Sequence, residues 1–389
     1  MLGGAFAAVA DMRNTSLNIV SITPIAVGLP MRKPVIMAGE EVRRADNMLV
    51  RVVADDGTVG WGEAASAPTM TGETIASMTA AIDHLAPVLV GRDPADLDGA
   101  RAALDGRMYA NHAAKAAVEI ALLDLVGRAT GRPVHALLGD KLRERAPLLA
   151  VVGGGDRDGD LADAARKKAA GYTAFKIKVG VDTALRDAER SAAICAVLGG
   201  DVLISADANQ GFSVDEALAF VRAVAGAGLD FLEQPVAAHD LAGMAEVAAA
   251  TPIALGADEG IHGLDDIRRH HERKAAHGVS LKAIKLGGLR AVVEAGRLAD
   301  RLGMDVNLSC KTGESSIACA AALHAAAVLP GLAWALTLTS PALAADVTGH
   351  PVAVSHGHVA VSDRPGLGID VDAAMIERHR IAAPLRSVA

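Results

Sequence analysis

The 389-residue chain contains only three cysteines, Cys195, Cys310 and Cys319, and no C-x-x-C pair. An odd number without metal-ligand spacing excludes a disulfide framework and a cysteine zinc site, and it points to a reducing, cytoplasmic setting. Basic runs are missing as well. With a formal charge of −8, the chain has no clustered Lys and Arg to meet a phosphate backbone, so nucleic acid is not expected as a partner. No G-x-x-x-x-G-K, G-x-S-x-G or H-E-x-x-H motif occurs, which removes phosphate-loop, nucleophile-elbow and zinc-peptidase chemistry. Nor is there a long uninterrupted apolar span. The most membrane-like stretch, "IACAAALHAAAVLPGLAWAL" (317–336), is broken by Pro330-Gly331 and reads as a helix followed by a strand, so no membrane association is expected. "MLGGAFAAVADMRN" lacks a positive charge ahead of its apolar stretch, and residues 1–16 read as a loose N-terminal extension without a secretory signal.

What is present fits a soluble globular protein: 51% of residues are hydrophobic and 22% charged. The length suits two or three domains, or one large barrel with an addition. Residues 17–146 mix two patterns. Apolar alternation in "LNIVSITPIAVGL" and "NMLVRVVADDGTVGWGEA" predicts strands joined at Asp56-Gly57. Helical periodicity follows in "GETIASMTAAIDHLAPVLV" and "AAKAAVEIALLDLVGRATG", where Gly131 ends the helix. This region reads as a small α+β domain. Residues 147–350 instead alternate short apolar runs with Ala-rich amphipathic helices. The eight runs are "LLAVVG", "AFKIKVG", "VLISADAN", "LDFLEQP", "IALGADE", "SLKAIKLGG", "DVNLSC" and "LAWALTL", a pattern of parallel β/α units closing into a barrel. Residues 351–389 are glycine-rich with alternating strands, expected to return to the first domain.

Polar residues recur near the end of successive barrel strands. Lys176 and Lys178 end the second, Asp207 and Asn209 the third, Glu233 the fourth, Asp258 and Glu259 the fifth, and Lys282 belongs to the sixth. The carboxyl ends of the strands form the active face of such a barrel, so these side chains should converge. Three carboxylates, Asp207, Glu233 and Asp258, gather too much negative charge to coexist without a cation, and hard oxygen donors suit Mg²⁺. Lys178 and Lys282 would flank whatever that ion holds. Removing a proton α to a carboxylate creates a dianionic enediolate, whose charge a divalent ion stabilises where it develops.

The segments "FKIKVG", "ADANQGF", "FLEQP", "GADEG" and "LKAIKLGG", in that order, resemble the enolase superfamily in its muconate lactonizing enzyme, or muconate cycloisomerase-like, subgroup of the mandelate racemase/muconate lactonizing enzyme family. The likeness extends to "GWGEA", "TGET" and "AAKAAVEIALLDLVGRATGRPVHALLGD". It implies an α/β fold made of a (β/α)₇β modified TIM barrel with an α+β capping domain. It also implies Mg²⁺, with Mn²⁺ as a substitute, on Asp207, Glu233 and Asp258, and acid/base lysines at Lys178 and Lys282. Lys176 would tune Lys178 or touch the substrate carboxylate, while Asn209 and Glu259 would orient ligands and bases. Lys282 is preferred over Lys285, because family spacing favours it and period-two alternation turns Lys285 away.

The chain departs from its relatives in two places. "DVNLSCKTGES" has no histidine after the seventh strand, which favours a Lys/Lys mechanism. At the eighth strand, "ALTLTSPALAADV" sets Thr337 and Thr339 where relatives carry a glutamate or a D-x-D pair, which weakens lactonization and argues against a dipeptide epimerase. Substrate contacts are expected from Lys311, Thr337 and Thr339, and from the capping loops "LPMRKPVIMAGEEVRRAD" and "EAASAPTMTGET". Arg32 and Lys33 would either meet a distal carboxylate or stand as solvated loop charges. The expected function is a Mg²⁺-dependent isomerase, a cycloisomerase or racemase/epimerase, acting on a small carboxylate, with a homo-oligomeric assembly. The alternatives are a dehydratase of the o-succinylbenzoate synthase type and a binding protein without turnover.

Overall fold

A computed structural model of the chain describes residues 17–37, 40–153 and 156–382; the extension expected over 1–16 lies outside them. The first elements are strands β1 (Ile19–Met37), β2 (Glu40–Ala54) and β3 (Val59–Ala65), paired antiparallel in the order β1-β2-β3. Asp56-Gly57 turns β2 into β3, with Gly57 at φ +85°, a conformation that side chains resist. Helices α1 (Ile75–Leu85), α2 (Leu97–Arg107), α3 (His112–Thr130) and α4 (His135–Leu138) follow. Thr74 caps α1, and Gly131, left-handed at φ 68°, ends α3. The long helix α3 packs on the sheet so closely that a Cβ at Gly62 would meet the Ala117 carbonyl.

The second part of the chain runs β4 (Arg145–Pro147), β5 (Leu149–Val152), α5 (Arg157–Ala169), β6 (Ala174–Lys178), α6 (Ala184–Leu198), β7 (Leu203–Asp207), α7 (Val214–Ala223), β8 (Phe231–Glu233), α8 (Leu241–Ala249), β9 (Ala254–Ala257), α9 (Leu264–Glu272), β10 (Gly278–Leu281), α10 (Ala283–Leu286), α11 (Leu289–Arg301), β11 (Asp305–Ser309), α12 (Ser316–Val328) and β12 (Leu336–Thr337). Among the described residues β5 to β12 form one eight-stranded parallel sheet in chain order. A parallel bridge from Leu148 to Leu336 brings the last strand back beside the first. Asp156, Thr183, Ser213 and Asp240 each cap the helix after a strand, which fixes where the active-face loops end.

Strand alternation then divides the barrel into two environments. Phe175, Ile177, Ile204, Leu232, Leu255, Val279 and Leu308 join the core shared with the surrounding helices. The opposite face points inward. At the amino-terminal end of the barrel, Leu149, Ala174, Phe231 and Trp334 form an apolar plug, the last two rings stacked at 4.0 Å. Above this plug the inward positions are polar.

After β12, residues from 350 onward carry β13 (His358–Ala360) and α13 (Ala373–His379) among those described. β13 pairs with β4, Leu367 N–H donates to Asp124 of α3, and Ile381 N–H donates to the Ala26 carbonyl of β1. No described helix is long and apolar enough to cross a membrane; the 317–336 stretch divides into α12 and β12.

Candidate active site

A cavity of about 370 Å³ opens at the carboxyl ends of the barrel strands. Lys176, Lys178, Asp207, Asn209, Glu233, Asp258, Glu259 and Lys282 all line it, as inward-facing strand ends in a parallel barrel must. The first domain supplies part of the wall through Val35 of β1 and Thr69 and Met70 after β3. β6 and β10 have three strands between them on either side of the eight-stranded ring, so Lys178 and Lys282 approach the cavity from opposite sides.

Each carboxylate meets an ammonium group. Lys178 Nζ donates to Asp207 Oδ2 and to Asn209 Oδ1, both at 2.7 Å. Lys176 Nζ lies 2.5 Å from Glu233 Oε2 and 3.8 Å from Asp207 Oδ2. Lys282 pairs with Asp258 Oδ2. These charges are almost completely buried: Asp207, Glu233 and Asp258 are 2%, 1% and 1% exposed, so their electrostatics are little screened by water. Burial alone would favour protonated Asp258, but Lys282 and Lys285 outweigh it and hold the carboxyl far below its usual range. Burial also raises Glu233, aided by the charges of Asp207 and Asp258. Glu259 is pushed up to about 7, first by burial and then by Asp258.

Two supporting residues follow from local backbone shape. Asn209, left-handed at φ 43°, turns back so that its amide spans Lys178 and Glu259 Oε1, the latter at 3.1 Å. Gln234, the Gln of "FLEQP", has φ 35°, and its Oε1 accepts the N–H groups of Asp258 and Gly260 at 2.9 and 3.1 Å. It thereby sets the bend that presents Asp258. Its place after a strand-end glutamate was the available signal.

Lys285 is not among the residues that line the cavity, but the reason is not strand alternation. β10 ends at Leu281, and Lys282 opens the single turn α10, so strand alternation does not extend to residue 285. The turn carries Lys285 behind Asp258, onto the carboxylate oxygen that Lys282 does not meet. Lys285 is fully buried, and its Nζ donates to Asp258 Oδ1 at 2.6 Å, to the Asp258 carbonyl, and to the Ser280 carbonyl at 3.0 Å.

Lys311, Thr337 and Thr339 line the cavity. Thr339 Oγ1 donates to the Lys311 carbonyl at 2.8 Å, tying the loops after β11 and β12 together. Met70, from the capping loop "EAASAPTMTGET" expected to meet substrate, also lines it, as does Cys310, which carried no sequence signal of its own. Arg32 is exposed, and its Nε donates to the Pro341 carbonyl at 3.2 Å. It latches β1 to the rim; its guanidinium is not part of the cavity lining.

The donor chemistry suits a hard cation. Buried Glu233 meets the Lys176 ammonium through Oε2, while its Oε1 has no hydrogen-bond partner among the described residues, an uncommon state for a buried carboxylate oxygen. Ammonium groups hold the places around the acids, however, and among the described residues no three His, Cys, Asp or Glu side chains are gathered into a ready metal cluster. For the three acids to hold a metal, Lys176, Lys178 and Lys282 would give way beside Glu233, Asp207 and Asp258, a movement that flexible lysine stems allow.

Comparison with known proteins agrees with this architecture. Residues 19–139 match the mandelate racemase/muconate lactonizing enzyme N-terminal domain, and residues 160–375 match the enolase C-terminal domain-like family. An N-succinyl-L-Arg/Lys racemase from Bacillus cereus is 29% identical over 92% of this chain and 96% of its own. An L-Ala-D/L-Glu epimerase from Clostridium acetobutylicum is 33% identical over 90% and 98%. The crystal structure of a muconate lactonizing enzyme from Pseudomonas fluorescens, complexed with muconolactone, superposes with a TM-score of 0.91 at 30% identity, covering 94% of this chain and 100% of that one.

Proposed function

The chain belongs to the mandelate racemase/muconate lactonizing enzyme family of the enolase superfamily, and from this premise we propose that it is an isomerase that moves the α-proton of a small carboxylate substrate. The observation that carries the reading is the placement of Lys178 and Lys282 on opposite sides of one buried cavity, each beside a different strand-end carboxylate. Asp207, Glu233 and Asp258 would hold Mg²⁺, as the family generally uses, with Mn²⁺ as a substitute. When bound, the ion supplies positive charge beside the substrate carboxylate, which lowers the cost of the negative charge left by the departing proton.

The chain's own groups do the rest. Either lysine, once neutral, accepts the α-proton from its side of the substrate, and the opposite ammonium returns a proton from the other side. Asn209 Oδ1 holds Lys178 Nζ beside Asp207, and Lys285 holds Asp258 by the oxygen that Lys282 does not meet. The cap residues Val35 and Met70 add apolar surface to the cavity wall. If both lysines exchange protons the result is racemization or epimerization; if one acts alone, cycloisomerization or loss of a β-leaving group follows. Thr337 and Thr339 offer no negative charge to an α-ammonium, which favours an acylated or amine-free substrate over a free dipeptide.

Incubating N-succinyl amino acids, betaines and muconates with the protein and Mg²⁺ in D₂O, with NMR detection of the α-position, tests the proposal. Deuterium in both enantiomers identifies a racemase, a lactone a cycloisomerase, and release of water a dehydratase. Tight binding of carboxylic acids without any exchange would defeat the enzymatic reading.

A further inference from the structure

Lys178 is the last residue of β6, and beyond it the Val179 N–H still donates to the Asp207 carbonyl of β7 at 3.0 Å. Lys282 stands differently. Its carbonyl accepts the N–H groups of Lys285 and Leu286, both at 3.2 Å, so the turn of α10 fixes its backbone. The Lys178 carbonyl, by contrast, is met by a brace from outside the strand. Arg190 of α6 sends Nη2 to the Lys178 carbonyl at 2.5 Å and to Asp187 Oδ1 at 2.9 Å, while Nη1 meets Asp160 of α5 at 2.7 Å. The other oxygen of Asp187 accepts the Gly180 N–H at 2.7 Å. One guanidinium and one carboxylate therefore grip the chain on both sides of Val179.

This brace is buried: the side chains of Arg190, Asp160 and Asp187 are 16%, 5% and 1% exposed. Burying three charged groups between two helices brings little stability that apolar packing would not also bring. What the fork geometry adds is position, because a planar guanidinium directs its hydrogen bonds at fixed angles. We propose that Arg190, held by Asp187 and Asp160, is a positioning residue that sets where the Lys178 ammonium enters the cavity, and that the Lys282 side of the site does not depend on it. The inference rests on the reading of Lys178 and Lys282 as opposed proton-transfer groups.

Arg190→Met and Arg190→Lys test it by two measurements. Crystal structures require no substrate: the Lys178 carbonyl should leave its place and Nζ should part from Asp207 in R190M, with the Lys282–Asp258 pair unmoved. The second measurement follows α-deuteration of N-succinyl-D- and N-succinyl-L-arginine in D₂O with Mg²⁺, with Lys178→Ala and Lys282→Ala identifying which enantiomer reports on which side. Exchange from the Lys178 side should fall by about tenfold to a hundredfold relative to the Lys282 side in R190M, the scale expected for a misplaced reacting group, and recover partly in R190K. An unmoved Lys178 in the crystal, or equal losses from both sides, would overturn the role given to Arg190. If R190M does not fold, the same position and ratio in R190K decide. A Lys178→Ala variant that retains exchange from both sides would instead refute the lysine assignment itself.

Discussion

Glu63 and Glu314 give the fold a pH dependence whose sign is opposite to that of an ordinary ion-paired carboxylate. Glu63 of β3 reaches across to the loop after β11, accepting from the Ser315 and Ala318 N–H groups at 2.8 and 2.9 Å and from Asn47 Nδ2 at 2.8 Å. Glu314 accepts the Lys311 N–H at 2.9 Å from the same loop. Burial, then the charge of Glu314, raises Glu63 from 4.5 to about 8; burial raises Glu314 to about 7. Between the unfolded and folded values the native protein holds a proton that the unfolded chain has released. Stability is therefore fully present at low pH and is lost as pH rises through the folded values. At about 1.4 kcal/mol per unit, moving from about pH 6 to about pH 7.5 should remove ~2 kcal/mol through Glu63 and ~1 kcal/mol through Glu314. Glu63→Gln keeps the side-chain shape and removes the first contribution. Urea unfolding followed by the fluorescence of Trp61 and Trp334, one in each part of the molecule, provides the assay. The wild-type protein should lose ~2 kcal/mol more than E63Q across that interval. Equal losses in the two proteins, or a wild-type protein that gains stability relative to E63Q, would refute the argument.

Three further outcomes are expected. Lys285→Met takes one of two ammonium partners from buried Asp258 and leaves Lys282 in place, so it should lower stability by about 1.5–3 kcal/mol, the range for a lost hydrogen bond to a charged group, read as a fall in melting temperature. Gly278→Ala would put a Cβ 2.4 Å from the Trp334 ring; overpacking the plug should cost about 1–3 kcal/mol and alter the near-ultraviolet dichroism, whereas an unchanged spectrum and stability would contradict the packing described. Chelation with EDTA should abolish α-deuteration, and Mg²⁺ or Mn²⁺ should restore it; exchange that survives exhaustive chelation would count against the metal role of Asp207, Glu233 and Asp258.

The barrel was legible in the chain because its signals are local. Eight short apolar runs separated by helical periodicity require strands and helices of given lengths, and alternation within "FKIKVG" places both lysines on one face whatever lies around them. The same rule did not reveal the partner of Lys285, because it presumes a continuing strand. A helical turn begins two residues after Leu281, and only the packing of that turn shows the side chain reaching Asp258.

What the sequence determined by itself is therefore the order of strands, the face on which Lys176, Lys178, Asp207 and Glu233 lie, and the gathering of opposite charges that follows. Tertiary structure alone decided the contacts between distant segments: Glu63 against Ser315, Arg190 on the Lys178 carbonyl, and Arg32 spent on the rim. Backbone periodicity is a property of neighbours in the chain. These partners are chosen by how helices and loops close on the barrel, and nothing within a few residues of either member records that choice.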